Sequence, residues 1–293
     1  MVFLQASCTV DESACEAVET LLTGLGAVSI TIEPRSDEEV LEPGPGETPL
    51  WQVLLLKALF ITDEVPSSLR QRVADVCSET GARDWSVRIV VDREWERSWM
   101  DYYHPMRFGS RLWICPSHRR VVDPDALVVR LDPGLAFGTG THPTTRQCLT
   151  WLASQSLETT SVLDYGCGSG ILAIAALVLG APHAVAVDND HQAIVSTWEN
   201  ARQNGVSDRL VVRDPGSLTD HQSDLIIANI LSGTLIQLAP TLIESARIGG
   251  RIVLSGILER QVVDVCAAYA SACPLDTVSV DDGWALLIGT VQG

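Results

Sequence analysis

The sequence predicts a doubly wound α/β domain, its mostly parallel sheet covered on both faces, behind a smaller α+β unit. Three observations predict it. From Ser161 onward, short apolar runs alternate with helical patterns, as expected for parallel strands buried on both faces. The first of those runs leads into a turn with glycine at every second position: Gly166, Gly168 and Gly170. The first ninety or so residues carry strand and helix signals in a different order, βαββαβ. A chain of 293 residues is long for one core and comfortable for two.

The elements follow in order. Phe3 to Thr9 reads as a strand, with Asp11 placed to cap the next helix. Ala14, Ala17, Val18, Leu21 and Leu22 recur at helical spacing on one face, and Gly24 closes that helix. Val28 to Ile32 and Trp51 to Ile61 are strands separated by a Pro-, Gly- and Glu-rich loop. Pro66 opens a helix through Cys77, and Trp85 to Val91 is the fourth strand. The order βαββαβ matches a ferredoxin-like domain over residues 1–92. Residues 93–116 differ in character. Trp95 to Met100 is dense in large amphipathic groups and predicts a short helix ended by His104-Pro105, with the segment as a whole an interdomain linker.

In the larger domain, 117–293, Val162 to Asp164 is a strand and Ile171 to Leu179 a strongly apolar helix. Ala184 to Val187 and Gln192 to Gln203 repeat the pair. Leu210 to Arg213, Leu225 to Ala228 and Ile252 to Ser255 are further strands, with helices around Leu235–Ala246 and Leu258–Ala272. Leu275 to Val280 and Ala285 to Thr290 flank Asp281-Asp282-Gly283, a hairpin turn that predicts an antiparallel edge on the sheet.

Composition narrows the function classes. Apolar residues make up 46% and charged residues 19%, so the chain is read as folded rather than disordered. The formal charge of −17 repels phosphate backbones and favours basic partners, so direct nucleic-acid binding is not expected. Eight cysteines are scattered without a C-x-x-C pair. Reduced thiols, a cytoplasmic setting and no metal site are therefore expected. Met1 to Gln5 has no basic stretch that would suggest a signal peptide. The longest apolar run, Ile171 to Val187, is interrupted by Gly180, Pro182 and His183, so no membrane span is expected.

Four constellations carry chemistry. Asp164-Tyr165-Gly166-Cys167-Gly168-Ser169-Gly170 follows a strand and precedes a helix, which favours cofactor binding over a plain turn. Its glycines do not follow the G-x-G-x-x-G spacing of a nicotinamide-dependent oxidoreductase. Asp188, at the end of the next strand, can accept two ribose hydroxyls, while Asp190 is assigned to capping the following helix. Asn229 ends another strand at the edge where open parallel sheets bind ligands. Finally, Leu131 to Thr145 is a loop of glycines, prolines and threonines. Phe137 could cover an apolar ligand face there, and Thr144-Thr145 would begin a helix through Trp151. Their hydroxyls are expected at the helix's cationic end, near a ligand carboxylate. His142 is expected to be a structural hydrogen-bonder.

The stretch Asp132-Pro-Gly-Leu-Ala-Phe-Gly-Thr-Gly-Thr-His-Pro-Thr-Thr145 resembles the ribosomal protein L11 methyltransferase family. Trp95-Glu-Arg-Ser-Trp-Met100, His104-Pro-Met-Arg-Phe-Gly109, Asp164 to Ala176 and Ala228-Asn-Ile-Leu-Ser-Gly233 agree, so the resemblance spans nearly the whole chain. Thr234 departs from it, standing where many relatives have proline. The resemblance implies a seven-stranded class I methyltransferase domain behind a substrate-recognition domain and a flexible linker. It implies S-adenosylmethionine as cofactor, held at Thr145, Gly166, Asp188 and Asn229; by its own chemistry the Asn229 amide oxygen can also accept from a target amine and aim its lone pair. It implies methylation of lysine side chains and of the N-terminal amine of ribosomal protein L11, by a monomer. A methyltransferase for another protein, for RNA or for a small molecule is the neighbouring alternative; an oxidoreductase and a non-catalytic binding protein lie further off.

Overall fold

Alternating burial along the first strand organises the first unit. In β1 (Val2–Asp11), Leu4, Ala6, Cys8 and Val10 are buried on one face. The computed structural model describes residues 2–35, 51–62, 66–90, 103–132, 138–218 and 221–293. It divides into two units, Met1–Ser98 and Trp99–Gly293. In the first, β1 is followed by α1 (Cys15–Gly24), β2 (Ser29–Pro34), β3 (Val53–Thr62), α2 (Pro66–Thr80) and β4 (Arg83–Val90). The strands form an antiparallel sheet in the order β2-β3-β1-β4, the ferredoxin-like arrangement that βαββαβ predicts. Leu54, Leu56, Ala58 and Phe60 of β3 pack with β1 against Val18 and Leu22 of α1 and Leu69 and Val73 of α2.

Local details differ from expectation. Asp11 precedes a 3-10 turn, Glu12–Ala14, but its carboxylate makes no capping bond. It pairs instead with Arg83, which starts the neighbouring strand, at 2.9 Å. The tighter first turn shifts the helical phase, so the buried face of α1 is Cys15, Val18 and Leu22, and Ala17 is exposed. Gly26, with φ +97°, turns the chain away, two residues later than Gly24.

The helix expected at Trp95–Met100 lies outside the described residues. Residues 106–108 and 112–115, within the segment read above as a linker, are strands of the second unit. β5 (Met106–Phe108), β6 (Leu112–Cys115) and β7 (Leu127–Arg130) make a small three-stranded sheet. Phe108, Leu112 and Ile114 are buried in the same core as the helices that follow, which explains why they belong there.

Those helices and the main sheet comprise α3 (Pro143–Leu152), β8 (Val162–Tyr165), α4 (Ile171–Val178), β9 (Ala184–Val187), α5 (His191–Gln203) and β10 (Leu210–Arg213). They continue with β11 (Ser223–Asn229), α6 (Ser232–Gln237), α7 (Ala239–Glu244), β12 (Ala246–Leu258), α8 (Val262–Tyr269), β13 (Leu275–Asp281) and β14 (Trp284–Thr290). The seven strands are ordered β10-β9-β8-β11-β12-β14-β13. Pairs from β10 to β12 are parallel. Alternate residues serve opposite faces: Ile227 and Val253 pack with α3 and α4, Ile226 and Ile252 with α6 to α8.

The hairpin gives this sheet its antiparallel edge, as expected, with the later strand inside. β14 is antiparallel to both β12 and β13, so β13 at the edge points the same way as the parallel strands, and the reversed strand sits one place inside it. Burial explains the exchange. Ala285, Leu286 and Leu287 of β14 are fully buried, whereas Val278 and Val280 of β13 are exposed. The helix expected near Leu235–Ala246 is two short helices that meet at Leu238, with Pro240, which has no N–H to donate, in the first turn of the second, and Ala246 belongs to β12. The helix expected from Leu258 starts as a 3-10 turn, Glu259–Gln261. No helix among the described residues is long and apolar enough to cross a membrane.

Candidate active site

Four segments meet at the carboxyl edge of the parallel strands, where such sheets bind ligands. β8 ends at Tyr165, and the chain turns through Gly166 to Gly170 into α4. Gly166 has φ +76°, and a Cβ on it would stand 2.3 Å from Ile230 Cγ2, so an L side chain has neither the backbone nor the room. The N–H groups of Gly166 and Cys167 both donate to the Val187 carbonyl, at 2.7 and 3.0 Å, which pins the turn to the end of β9.

Asp188 follows β9. Its Oδ2 accepts from the Gly168 N–H at 2.9 Å and its Oδ1 from the Asp190 N–H at 3.0 Å. Each oxygen keeps a further acceptor site, so the carboxylate is held in one orientation with capacity for two more donors. Asp190 caps α5 through the Gln192 N–H at 2.9 Å, as assigned from sequence. Asn229 ends β11, and its Nδ2 donates to the Thr145 hydroxyl at 3.2 Å. Thr145 is 1% exposed. This contact joins two positions 84 residues apart and leaves the Asn229 amide oxygen as the group that can receive a donor.

Thr144 and Thr145 lie in the first turn of α3, and His142 is a structural hydrogen-bonder, as expected. His142 is the N-cap. Its Nδ1 accepts from the Thr144 N–H at 3.4 Å and lies 2.8 Å from the Thr144 hydroxyl. Its ring stands edge-on to Trp284 at 5.2 Å. Burial lowers its pKa, which keeps the ring neutral and able to accept. Thr144 therefore serves the cap, and only the Thr145 hydroxyl is turned to Asn229. Phe137 lies outside the described residues.

Several supporting groups were not singled out from the sequence. Thr197 donates to the Gly168 carbonyl at 3.0 Å, and Asn200 to the Ser169 carbonyl at 2.9 Å, so α5 braces the glycine turn from behind. Ser169 donates to the Gly138 carbonyl at 2.7 Å. Thr197 and Asn200, three apart on α5, carry the helical spacing that puts both on one face, but nothing in the sequence says what that face meets.

Asp164, noted only as the acid before the glycines, is 1% exposed. Its Oδ2 accepts from the Ala173 N–H at 3.0 Å, and its Oδ1 has no hydrogen-bond partner among the described residues. Burial pushes its pKa up to about 7, opposed by the Ala173 N–H and assisted by the Asp188 charge. Below the ordinary carboxylate value of 3.8 the group is protonated in both folded and unfolded chains. Between 3.8 and about 7 only the unfolded chain ionises, so stability falls as pH rises, and above about 7 the full cost is present. Asp164→Asn should therefore gain on wild type with pH, its melting-temperature difference growing by roughly 5 °C between about pH 4 and pH 8 in calorimetry. A difference that does not change with pH would show that Asp164 is already ionised at low pH.

The strand order, the glycine turn after β8 and the acid following β9 define a class I methyltransferase, the S-adenosylmethionine-dependent type. The residues present fit that cofactor: the turn has backbone where side chains would intrude, and Asp188 offers paired acceptors at its rim. The solved structure of ribosomal protein L11 methylase from Lactobacillus delbrueckii subsp. bulgaricus matches with a TM-score of 0.60 and 32% identity, covering 65% of this chain and 100% of that chain. The ribosomal protein L11 methyltransferase of Alkalilimnicola ehrlichii is 51% identical over 284 residues, 96% of each chain. That of Hahella chejuensis is 46% identical over 289 residues, 99% of this chain and 98% of the other. The profile of the family Ribosomal protein L11 methyltransferase (PrmA) matches residues 2–292. The chain belongs to the ribosomal protein L11 methyltransferase family.

Proposed function

We propose that this protein transfers methyl groups from S-adenosylmethionine to amines of ribosomal protein L11, at lysine side chains and at the N-terminal amine. The observation that carries this is the Thr145–Asn229 contact at the carboxyl edge of β11. Relatives that match nearly end to end carry the corresponding name, which supports the substrate. When bound, the cofactor supplies a methyl group on a sulfonium that is already a good leaving group. Asp188 would accept the ribose hydroxyls, and the turn at Gly166 would admit the cofactor close to the backbone. The Asn229 oxygen accepts an N–H of the target amine and directs its lone pair, while Thr145 fixes which way the amide faces. Neither side chain titrates in the working range, so the amine must arrive neutral or lose its proton to water.

The first unit serves as the substrate-recognition domain, since the candidate cofactor positions all lie in the second. The protein acts as a monomer in the cytoplasm, without direct nucleic-acid contact. Its eight cysteines are all free and seven are buried, in keeping with a reducing compartment. Intact-mass spectrometry of purified ribosomal protein L11 after incubation with this protein and S-adenosylmethionine tests the proposal. Successive methyl-mass additions are expected, and fragment spectra will place them on amines. An unchanged mass, with cofactor binding verified in parallel, overturns the substrate and leaves the fold class standing.

A further inference from the structure

We infer that a two-residue bulge on β12, Ser255–Gly256, is the positioning device that brings Asn229 and Thr145 together. The inference rests on the reading of Asn229 as the residue that orients the target amine. β12 pairs with β11 in register up to Asn229 opposite Ser255. Against β14 on its other side, the register shifts between Leu254 and Ile257, so β12 holds one residue more than its partner there. Bulges redirect a strand locally and re-aim what lies on it.

Both residues of the bulge touch the main chain beside a site residue. Gly256 has φ +84°, and a Cβ on it would lie 2.3 Å from the Ile230 carbonyl oxygen, 2.8 Å from its carbonyl carbon and 3.1 Å from its nitrogen. The backbone just after Asn229 therefore rests directly on a position that only glycine can fill. Ser255 is fully buried, and its hydroxyl donates to the Thr144 carbonyl at 3.3 Å, just before Thr145. Gly166 faces the Cγ2 methyl of the same residue. Ile230 is thus clasped, its main chain against Gly256 and its side chain against Gly166. The 3.2 Å contact between Asn229 and Thr145 is held at the distance these two supports allow.

The two glycines make different predictions because they meet different atoms. Gly256→Ala pushes on backbone, displaces Asn229 and should lower kcat on the order of 100-fold while S-adenosylmethionine Kd stays within about threefold. Adding Ile230→Ala should not restore it, because the obstructing atoms remain. Gly166→Ala pushes on a methyl group and strains its own left-handed backbone, so it should weaken cofactor binding, and Ile230→Ala in the same chain should recover only the part of that loss due to the clash. Ser255→Ala adds no bulk and removes one hydrogen bond; it should lower kcat about fivefold without changing the cofactor Kd. It decides the question if Gly256→Ala fails to fold, as monitored by circular dichroism.

The measurements are kcat on ribosomal protein L11 and Kd for S-adenosylmethionine by calorimetry, with Asn229→Ala run alongside. Lowered kcat in the bulge variants with near-constant Kd, and no rescue of Gly256→Ala, is the expected result. Rescue of Gly256→Ala by Ile230→Ala, or equal losses in kcat and cofactor affinity, overturns it. So does unchanged turnover in Ser255→Ala. If Asn229→Ala loses turnover and the bulge variants do not, the positioning role alone fails. If Asn229→Ala keeps full turnover, the underlying reading of Asn229 fails.

Discussion

Asp188→Ala is expected to reduce S-adenosylmethionine binding below detection in calorimetry while the protein stays folded. Two effects add. The ribose hydroxyls lose a charged acceptor, and hydrogen bonds to charged groups contribute about 1.5–3 kcal/mol each, so losing two lowers affinity by roughly 100-fold or more. The Gly168 and Asp190 N–H groups also lose the oxygens they donate to, which loosens the glycine turn where the cofactor lies. Asp188→Asn separates the two. It keeps one acceptor oxygen but turns an amide N–H₂ toward a backbone donor, so its affinity should fall between wild type and alanine. Near-wild-type binding in Asp188→Ala would remove Asp188 from the cofactor site. Because Asp188 helps raise the Asp164 pKa, its removal should also lower the pH at which Asp164 ionises.

Asn229→Ala should separate turnover from binding. If the amide orients the amine, kcat falls on the order of 100-fold, the scale of a misplaced reactant, while cofactor Kd changes by about threefold or less. Thr145→Val, which removes the hydroxyl that receives the Asn229 Nδ2, should shift kcat in the same direction by about tenfold, because the amide is then free to turn. Rates measured at saturating ribosomal protein L11 and S-adenosylmethionine make the comparison. Equal losses in kcat and cofactor affinity would mean that Asn229 is a cofactor ligand first.

Much of this was legible in the chain because its signals are local. The glycines at 166, 168 and 170 sit at a strand-to-helix junction that periodicity alone identifies, and Asp190 precedes its helix where a cap is needed. Long-range placement was less legible. Asp188 and Asn229 could be put at strand ends, but that Asn229 reaches Thr145 depends on β11 lying beside β12 and on α3 docking over both, which no local pattern encodes. His142 is a structural hydrogen-bonder, as expected, but that it caps the helix could not be read locally, because a neutral ring nitrogen is an uncommon cap and its ring is held against Trp284 from a distant strand. Asp164 was visible as an acid, but its burial was not. Residues 106–115 were read as linker because short strands with few neighbours in sequence carry little periodicity, although Leu112 and Ile114 are fully buried. The exchange of β13 and β14 was readable in hindsight of burial, in the Ala285-Leu286-Leu287 run, yet a hairpin does not say which arm faces inward.

That exchange also bears on how the protein is made. β14 is the last strand of the sheet to be synthesised, yet it lies between β12 and β13. Until it emerges, β12 has an open apolar edge and β13 has nothing to pair with. The glycine turn and Asn229 are synthesised well before the sheet that holds them can close, so a translating ribosome carries an unfinished enzyme with an adhesive edge until the end of that hairpin leaves the tunnel. Stop codons falling between β13 and β14 should accordingly yield aggregates rather than a weakened catalyst.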